Sequence, residues 1–110
     1  CVLVASEPAP LPAVTLAEVL ATSDLPGGVV NILTGHRAEL APWLASHMDL
    51  NAVDLAGVGA GQVPVLEEAA AGNLKRVLRP QEGADWSAAP GTGRMTAFLE
   101  TRTVWHPVGV

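Results

Sequence analysis

The sequence predicts an α/β fold: a partial parallel sheet, doubly wound by helices, with an extension strand near the C-terminal end. Three observations carry this. Short aliphatic runs alternate with stretches of helical period, and Pro or Gly clusters separate them. The apolar share of 49% rests on Val, Leu and Ala, with one Phe, three Trp and no Tyr. Strand and helix in strict alternation indicate βαβ units joined by right-handed crossovers. A small aliphatic core suits layers packed closely on one another.

The elements follow in order. Val2–Ala5 is an apolar run of the kind that forms a buried parallel strand, and such a strand needs neighbours on both sides. A chain that opens on one, without a polar lead-in, is expected to start inside a larger domain. Pro8, Pro10 and Pro12 make an extended connection, and the last fits the first turn of a helix. Val14, Leu16, Ala17, Leu20 and Ala21 carry that helix to about Ser23 with a period near 3.6, and Leu25-Pro26-Gly27-Gly28 stops it. Val29–Leu33 is a second strand, closed by Thr34-Gly35. Residues 38–46 read as a helix that Pro42 must kink or restart. Ala52–Leu55 is a third strand, Gly57–Gly61 a flexible turn, Gln62–Ala71 a helix ended by Gly72, and Leu74–Leu78 a fourth strand.

From Arg79 the pattern breaks. Residues 80–93 lack apolar period and read as a linker; residues 94–99 read as a short helix, and Thr101–Trp105 as a strand. The expected organisation is a dinucleotide-binding unit over residues 1–79, the linker over 80–93 and a C-terminal helix and strand over 94–110.

Length and charge restrict the partners. At 110 residues the chain has room for one small domain, expected to bury around two thirds of the surface its unfolded form exposes. The net charge is −5, and six dispersed basic residues give no face able to neutralise phosphates. Nucleic acid and anionic membrane are excluded on that ground. A single cysteine, Cys1, rules out an internal disulfide framework and a Cys-rich metal site, so a reducing cytoplasm is the expected compartment. No stretch approaches a membrane span of about 20 apolar residues. His36, His47 and His106 are too scattered for a metal centre.

Several segments, in order, resemble the aldehyde dehydrogenase superfamily. Val4-Ala5-Ser6-Glu7 stands where that family has Lys-Pro-Ser-Glu at a strand end. Leu25-Pro26-Gly27-Gly28-Val29-Val30-Asn31 through Gly35 is similar to its Leu-Pro-x-Gly-Val-Val-Asn-x-x-x-Gly. Val53–Val58 falls where it has Val-x-Phe-Thr-Gly-Ser, and Ala69–Val77 resembles the run before its catalytic glutamate. Gly93–Trp105 resembles the family's C-terminal assembly strand, with the catalytic domain absent between Arg79 and Gly91. The resemblance implies a Rossmann-like fold, NAD or NADP as cofactor, and cofactor contacts from Ser6, Glu7, Gly35, Gly57 and Val58.

The same resemblance implies that catalysis is lost. The family's nucleophilic cysteine lies on a loop outside these segments, and Cys1, expected in a buried strand, reads as structural. Its general-base glutamate aligns with Pro80, which has no proton acceptor; Glu82 nearby reads as a solvated charge. No catalytic and no metal-binding residue is assigned. Cofactor binding is expected to be weakened, because Val4 replaces the ribose-binding lysine and Val58 the serine hydroxyl. A lost charge-assisted hydrogen bond costs about 1.5–3 kcal/mol, roughly ten- to a hundredfold in affinity.

Without the family, Gly57-x-Gly59-x-Gly61 departs from the dinucleotide fingerprint at its last position, and reads as a βα turn in preference to a phosphate site. His36 and Arg37 follow a strand end but read as a solvated loop. The function expected is a fragment or degenerate subunit of an NAD(P)-dependent aldehyde dehydrogenase, the alternatives being a truncated piece of an active oxidoreductase or a small nucleotide-binding module. Residues 99–106 are expected to mediate assembly with a second copy or a full-length paralogue, since an unpaired strand seeks a partner.

Overall fold

The computed structural model describes residues 1–89 and 91–109. Strand β1, Val2–Val4, pairs in parallel with β2, Asn31–Leu33, through the helix α1, Leu11–Ala21. Helix α2, Arg37–Ser46, leads to β3, Ala52–Asp54, which pairs in parallel with β4, Arg76–Leu78, through α3, Val63–Ala71. Helix α4 is a single turn, Gly93–Thr96. Each predicted βα unit up to β4 is present, with strands shorter than their apolar runs. Backbone bonds extend the ladders at both ends: the Asn31 N–H donates to the Cys1 carbonyl at 2.9 Å and the Ala5 N–H to the Leu33 carbonyl at 2.9 Å. Likewise the Leu55 N–H reaches the Leu78 carbonyl at 2.9 Å and the Arg76 N–H the Asn51 carbonyl at 3.0 Å.

The continuous doubly wound sheet is not what forms. Among the described residues the strands make two separate two-stranded sheets, β1–β2 and β3–β4. The connection that fails to bring its strands side by side is β2–α2–β3. Helix α2 packs on α3, and the β3 edge is left to pair with β4 alone.

The terminal expectations also need correction. Thr101–Trp105 carries no strand and is exposed throughout, because the chain offers it no partner strand to complete a ladder. Cys1 is exposed and precedes β1, so its thiol is not a core group. The predicted helix over 94–99 closes after Thr96.

Local chemistry accounts for the helix ends. Pro12 lies in the first turn of α1, where its missing N–H has no partner to lose. At the other end the Thr22 hydroxyl donates to the Glu18 carbonyl at 3.0 Å and the Ser23 hydroxyl to the Leu20 carbonyl at 2.8 Å, each a second donor to a carbonyl that the same residue's N–H also reaches. Pro42 stays inside α2 without dividing it. Helix α3 ends at Ala71 with Gly72 as its C-cap, as expected, although Gly72 keeps right-handed helical dihedrals. The chain turns away just beyond it: the Lys75 N–H bonds the Ala70 carbonyl at 3.1 Å and the Leu74 N–H the Ala71 carbonyl at 3.2 Å. Leu74, at φ 57, takes the left-handed position of this Schellman closure.

The core is small and sits in the second unit. Ala45, Leu55 and Leu66 form its buried centre, with Val53, Val58, Val63 and Val77 packed around them. Asn73 ties the neighbouring loops together, donating to the Met48 carbonyl at 2.8 Å and the Leu50 carbonyl at 3.0 Å. Its amide oxygen accepts from the amine of the buried Lys75. Helix α1, by contrast, has no buried residue, although it carries Leu11, Val14, Leu16 and Val19. No helix of the described residues is long and apolar enough to cross a membrane.

Candidate functional site

Because β1 and β2 run parallel, residues 5–7 and 34–36 emerge at the same, carboxyl end of the pair, the edge at which open α/β sheets bind ligands. They line a cleft of about 180 Å³ together with Pro10. Three of the predicted cofactor residues, Ser6, Glu7 and Gly35, therefore meet in one place. Gly35 is required by its surroundings: it has φ +150, and an added Cβ would approach the Leu40 Cδ1 to 3.3 Å.

Glu7 is already engaged. Its Oε1 accepts the backbone N–H of Arg37, the first residue of α2, and its Oε2 lies 3.6 Å from the His36 Nδ1. The His36 side chain, at the N-cap position, makes no capping bond. Glu7 thus supplies the helix with an acceptor and a negative charge from 30 residues upstream, where exposed N–H groups and the helix dipole favour both. The Arg37 N–H holds the Glu7 carboxyl below its usual value of 4.5; desolvation opposes this and the His36 side chain adds to it.

Arg37 departs from the expected solvated loop. It is half-buried, and its guanidinium donates to the Gly57 carbonyl. Gly57 itself has φ +75, and a Cβ there would meet the Arg37 Nη1 at 3.3 Å. The remaining two predicted residues, Gly57 and Val58, thus lie in the second unit and are joined to the first cleft through Arg37. From the sequence, Arg37 reads as a solvated residue after a strand end, and nothing there points to this bond. The signal available was a basic residue at the first position of a helix that follows a strand end.

Val58 packs on the core and lines a second cleft of about 340 Å³ at the start of α3. Its other walls include Val63, Glu67, Arg79, Pro80 and Glu82. Arg79 donates to both oxygens of Glu67, at 2.6 and 2.7 Å. The hydrogen bond from Arg79 lowers the Glu67 carboxyl and, reciprocally, raises the guanidinium. Pro80 stands in this wall with no acceptor to offer, and Glu82 is exposed beside it.

Chemically, the first cleft offers a carboxylate, a hydroxyl and an imidazole to a polyhydroxyl or amine-bearing ligand. The second presents the open end of α3 beside an ion pair that is already satisfied. Neither is lined by a thiol. Among the described residues no group of three His, Cys, Asp or Glu could hold a metal ion.

Comparison with known proteins identifies the family. The family model described as the aldehyde dehydrogenase family matches residues 1–86. An aldehyde dehydrogenase-like protein of Schizosaccharomyces pombe is 31% identical over 110 residues, which are 99% of this chain and 21% of that protein. The NADP/NAD-dependent aldehyde dehydrogenase of Escherichia coli is 36% identical over 99 residues, 90% of this chain and 18% of its own length. A mitochondrial aldehyde dehydrogenase of Leishmania tarentolae is 40% identical over 76 residues, 69% of this chain and 15% of its own length. No solved structure matches. The chain spans about a fifth of the length of the curated relatives it matches. In the fission yeast protein nearly the whole chain, its C-terminal segment included, finds its counterpart within that fifth, with no room for an intervening domain. A cleft built from Ser6, Glu7 and Gly35 at the carboxyl end of a parallel pair, inside a family match over residues 1–86, leads to one assignment: the chain belongs to the aldehyde dehydrogenase family.

Proposed function

We propose that this chain is a nucleotide-binding portion of an NAD(P)-dependent aldehyde dehydrogenase and that it contributes cofactor contacts but no catalytic group. The observation that carries the reading is the convergence of Ser6, Glu7 and Gly35 in one cleft at the carboxyl edge of β1–β2. Glu7 faces the cofactor ribose, and the Gly57–Val58 turn before α3 faces the pyrophosphate. Binding is weak. Val4 lacks the ammonium that the family motif places there, and Val58 lacks the hydroxyl, each absence removing about tenfold or more in affinity. Catalysis is absent from this chain because Pro80 stands at the general-base position and Cys1 lines neither cleft.

Calorimetric titration with NAD and NADP tests this. Dissociation constants well above micromolar, improved by Val4→Lys, are expected, with no NADH formed from any aldehyde. Sub-micromolar binding by the unaltered chain, or aldehyde-dependent NADH production, overturns the reading.

A second reading concerns assembly and is favoured by the exposure of Leu99, Val104 and Trp105. Residues 99–106 dock on a second copy or on a full-length paralogue, and the segment gains a strand only when a partner edge completes its ladder.

A further inference from the structure

We propose that Arg37 is a positioning residue that sets the separation between the Glu7 carboxylate and the Gly57–Gly61 turn, and thereby selects ligands long enough to span both. This inference rests on the nucleotide reading above. Its basis is that one residue bonds both halves of the site by different groups. The Arg37 backbone N–H donates to Glu7, beside β1, and the Arg37 guanidinium donates to the Gly57 carbonyl, just past β3. No ladder among the described residues joins β1–β2 to β3–β4, so the distance between the two strand ends is not set by sheet hydrogen bonds.

Beyond Val58 the turn is loosely held. Gly59 and Gly61 have nothing within 4 Å of where a Cβ would sit. Besides Arg37 the turn is anchored by Val58, which packs on the core, and by two local bonds, the Val58 N–H to the Leu55 carbonyl at 3.0 Å and the Gln62 N–H to the Gly59 carbonyl at 2.9 Å. Three glycines in five residues carry high conformational freedom, which a long-range donor removes in advance of ligand binding. A ligand that touches only the Glu7 cleft has no use for that ordering. A diphosphate-bearing ligand that reaches the turn benefits from it.

The substitution Arg37→Ala separates the two contacts, since it removes the guanidinium and leaves the backbone N–H on Glu7. The full chain is titrated with AMP, ADP and NAD, and amide hydrogen exchange is followed at residues 57–61. Arg37→Ala is expected to weaken ADP and NAD about tenfold while changing AMP less than twofold, and to accelerate exchange in the turn. Arg37→Lys, which keeps a cation able to reach the carbonyl, is expected to recover part of the loss. Equal weakening of AMP, ADP and NAD would mark a general loss of structure and overturn the proposal, as would unchanged exchange at 57–61. If the unaltered chain binds none of the three nucleotides, the nucleotide reading fails and ligand selection by Arg37 fails with it. Accelerated exchange in Arg37→Ala would then still distinguish a real strut from none.

Discussion

At Glu7 one carboxylate makes two contacts, capping α2 through the Arg37 N–H and setting its other oxygen 3.6 Å from the His36 Nδ1. The pH dependence follows from the sign of its shift. Its value in the folded chain is lowered from 4.5, chiefly by the Arg37 N–H. The associated stabilisation is therefore fully present above the usual glutamate value and is lost as pH falls through the lower, folded-state value. Glu7→Gln keeps an acceptor but cannot titrate. The difference in urea midpoint between the unaltered chain and Glu7→Gln should favour the former at neutral pH and shrink as the solution is acidified. A difference that stays constant through the acid range would exclude Glu7 as a charged cap. Ser6, Glu7 and Gly35 were legible in the sequence because two of them sit in one short motif and the third closes another. Arg37 was not, since its bond to Gly57 links residues 20 apart and no local pattern encodes it.

Among the elements, the end of α3 shows that a helix can stop at a glycine without that glycine taking the left-handed position. Gly72 is the obvious helix terminator, yet the left-handed residue is Leu74, held there by the paired bonds from Leu74 and Lys75. A branched residue in that conformation costs about 1–2 kcal/mol, and Gly avoids the cost while adding freedom to the unfolded chain. Leu74 is 89% exposed, so removing its side chain sacrifices no burial. Leu74→Gly should raise stability by roughly 0.5–1 kcal/mol, measured by chemical denaturation; a lower midpoint would show that the side chain stabilises something. The positions of α1, α2, α3 and the four short strands were readable from period and punctuation, because these are local properties. That the strands form two separate pairs was not, because pairing depends on which edges meet.

As a whole molecule the chain is under-buried. Its accessible surface is 8534 Å², against about 5,700 Å² for a folded monomer of this mass, so it buries nearer half of its unfolded surface than the two thirds its length suggests. The radius of gyration, 16.8 Å, likewise exceeds the roughly 13 Å of a close-packed chain this long. Exposed apolar groups on α1 and in the C-terminal segment make up part of the excess, and surface of this kind drives association. Deleting residues 101–110 should give a smaller species by sedimentation velocity while leaving the far-UV spectrum of the βα units largely intact. Identical monomers before and after deletion would remove the assembly role of 99–106. The separation of the two strand pairs also bears on how the chain acquires its structure. Each pair closes its own loop, of about 29 residues for β1–β2 and 24 for β3–β4, and the entropic costs of the two closures differ by only about 0.2 kcal/mol. Chain topology thus sets no order of events. Packing differs between them: Leu55 and Leu66 lie with the later pair, so the C-terminal βαβ unit is expected to gain amide protection first in pulsed hydrogen exchange. Simultaneous protection of both units would exclude that order.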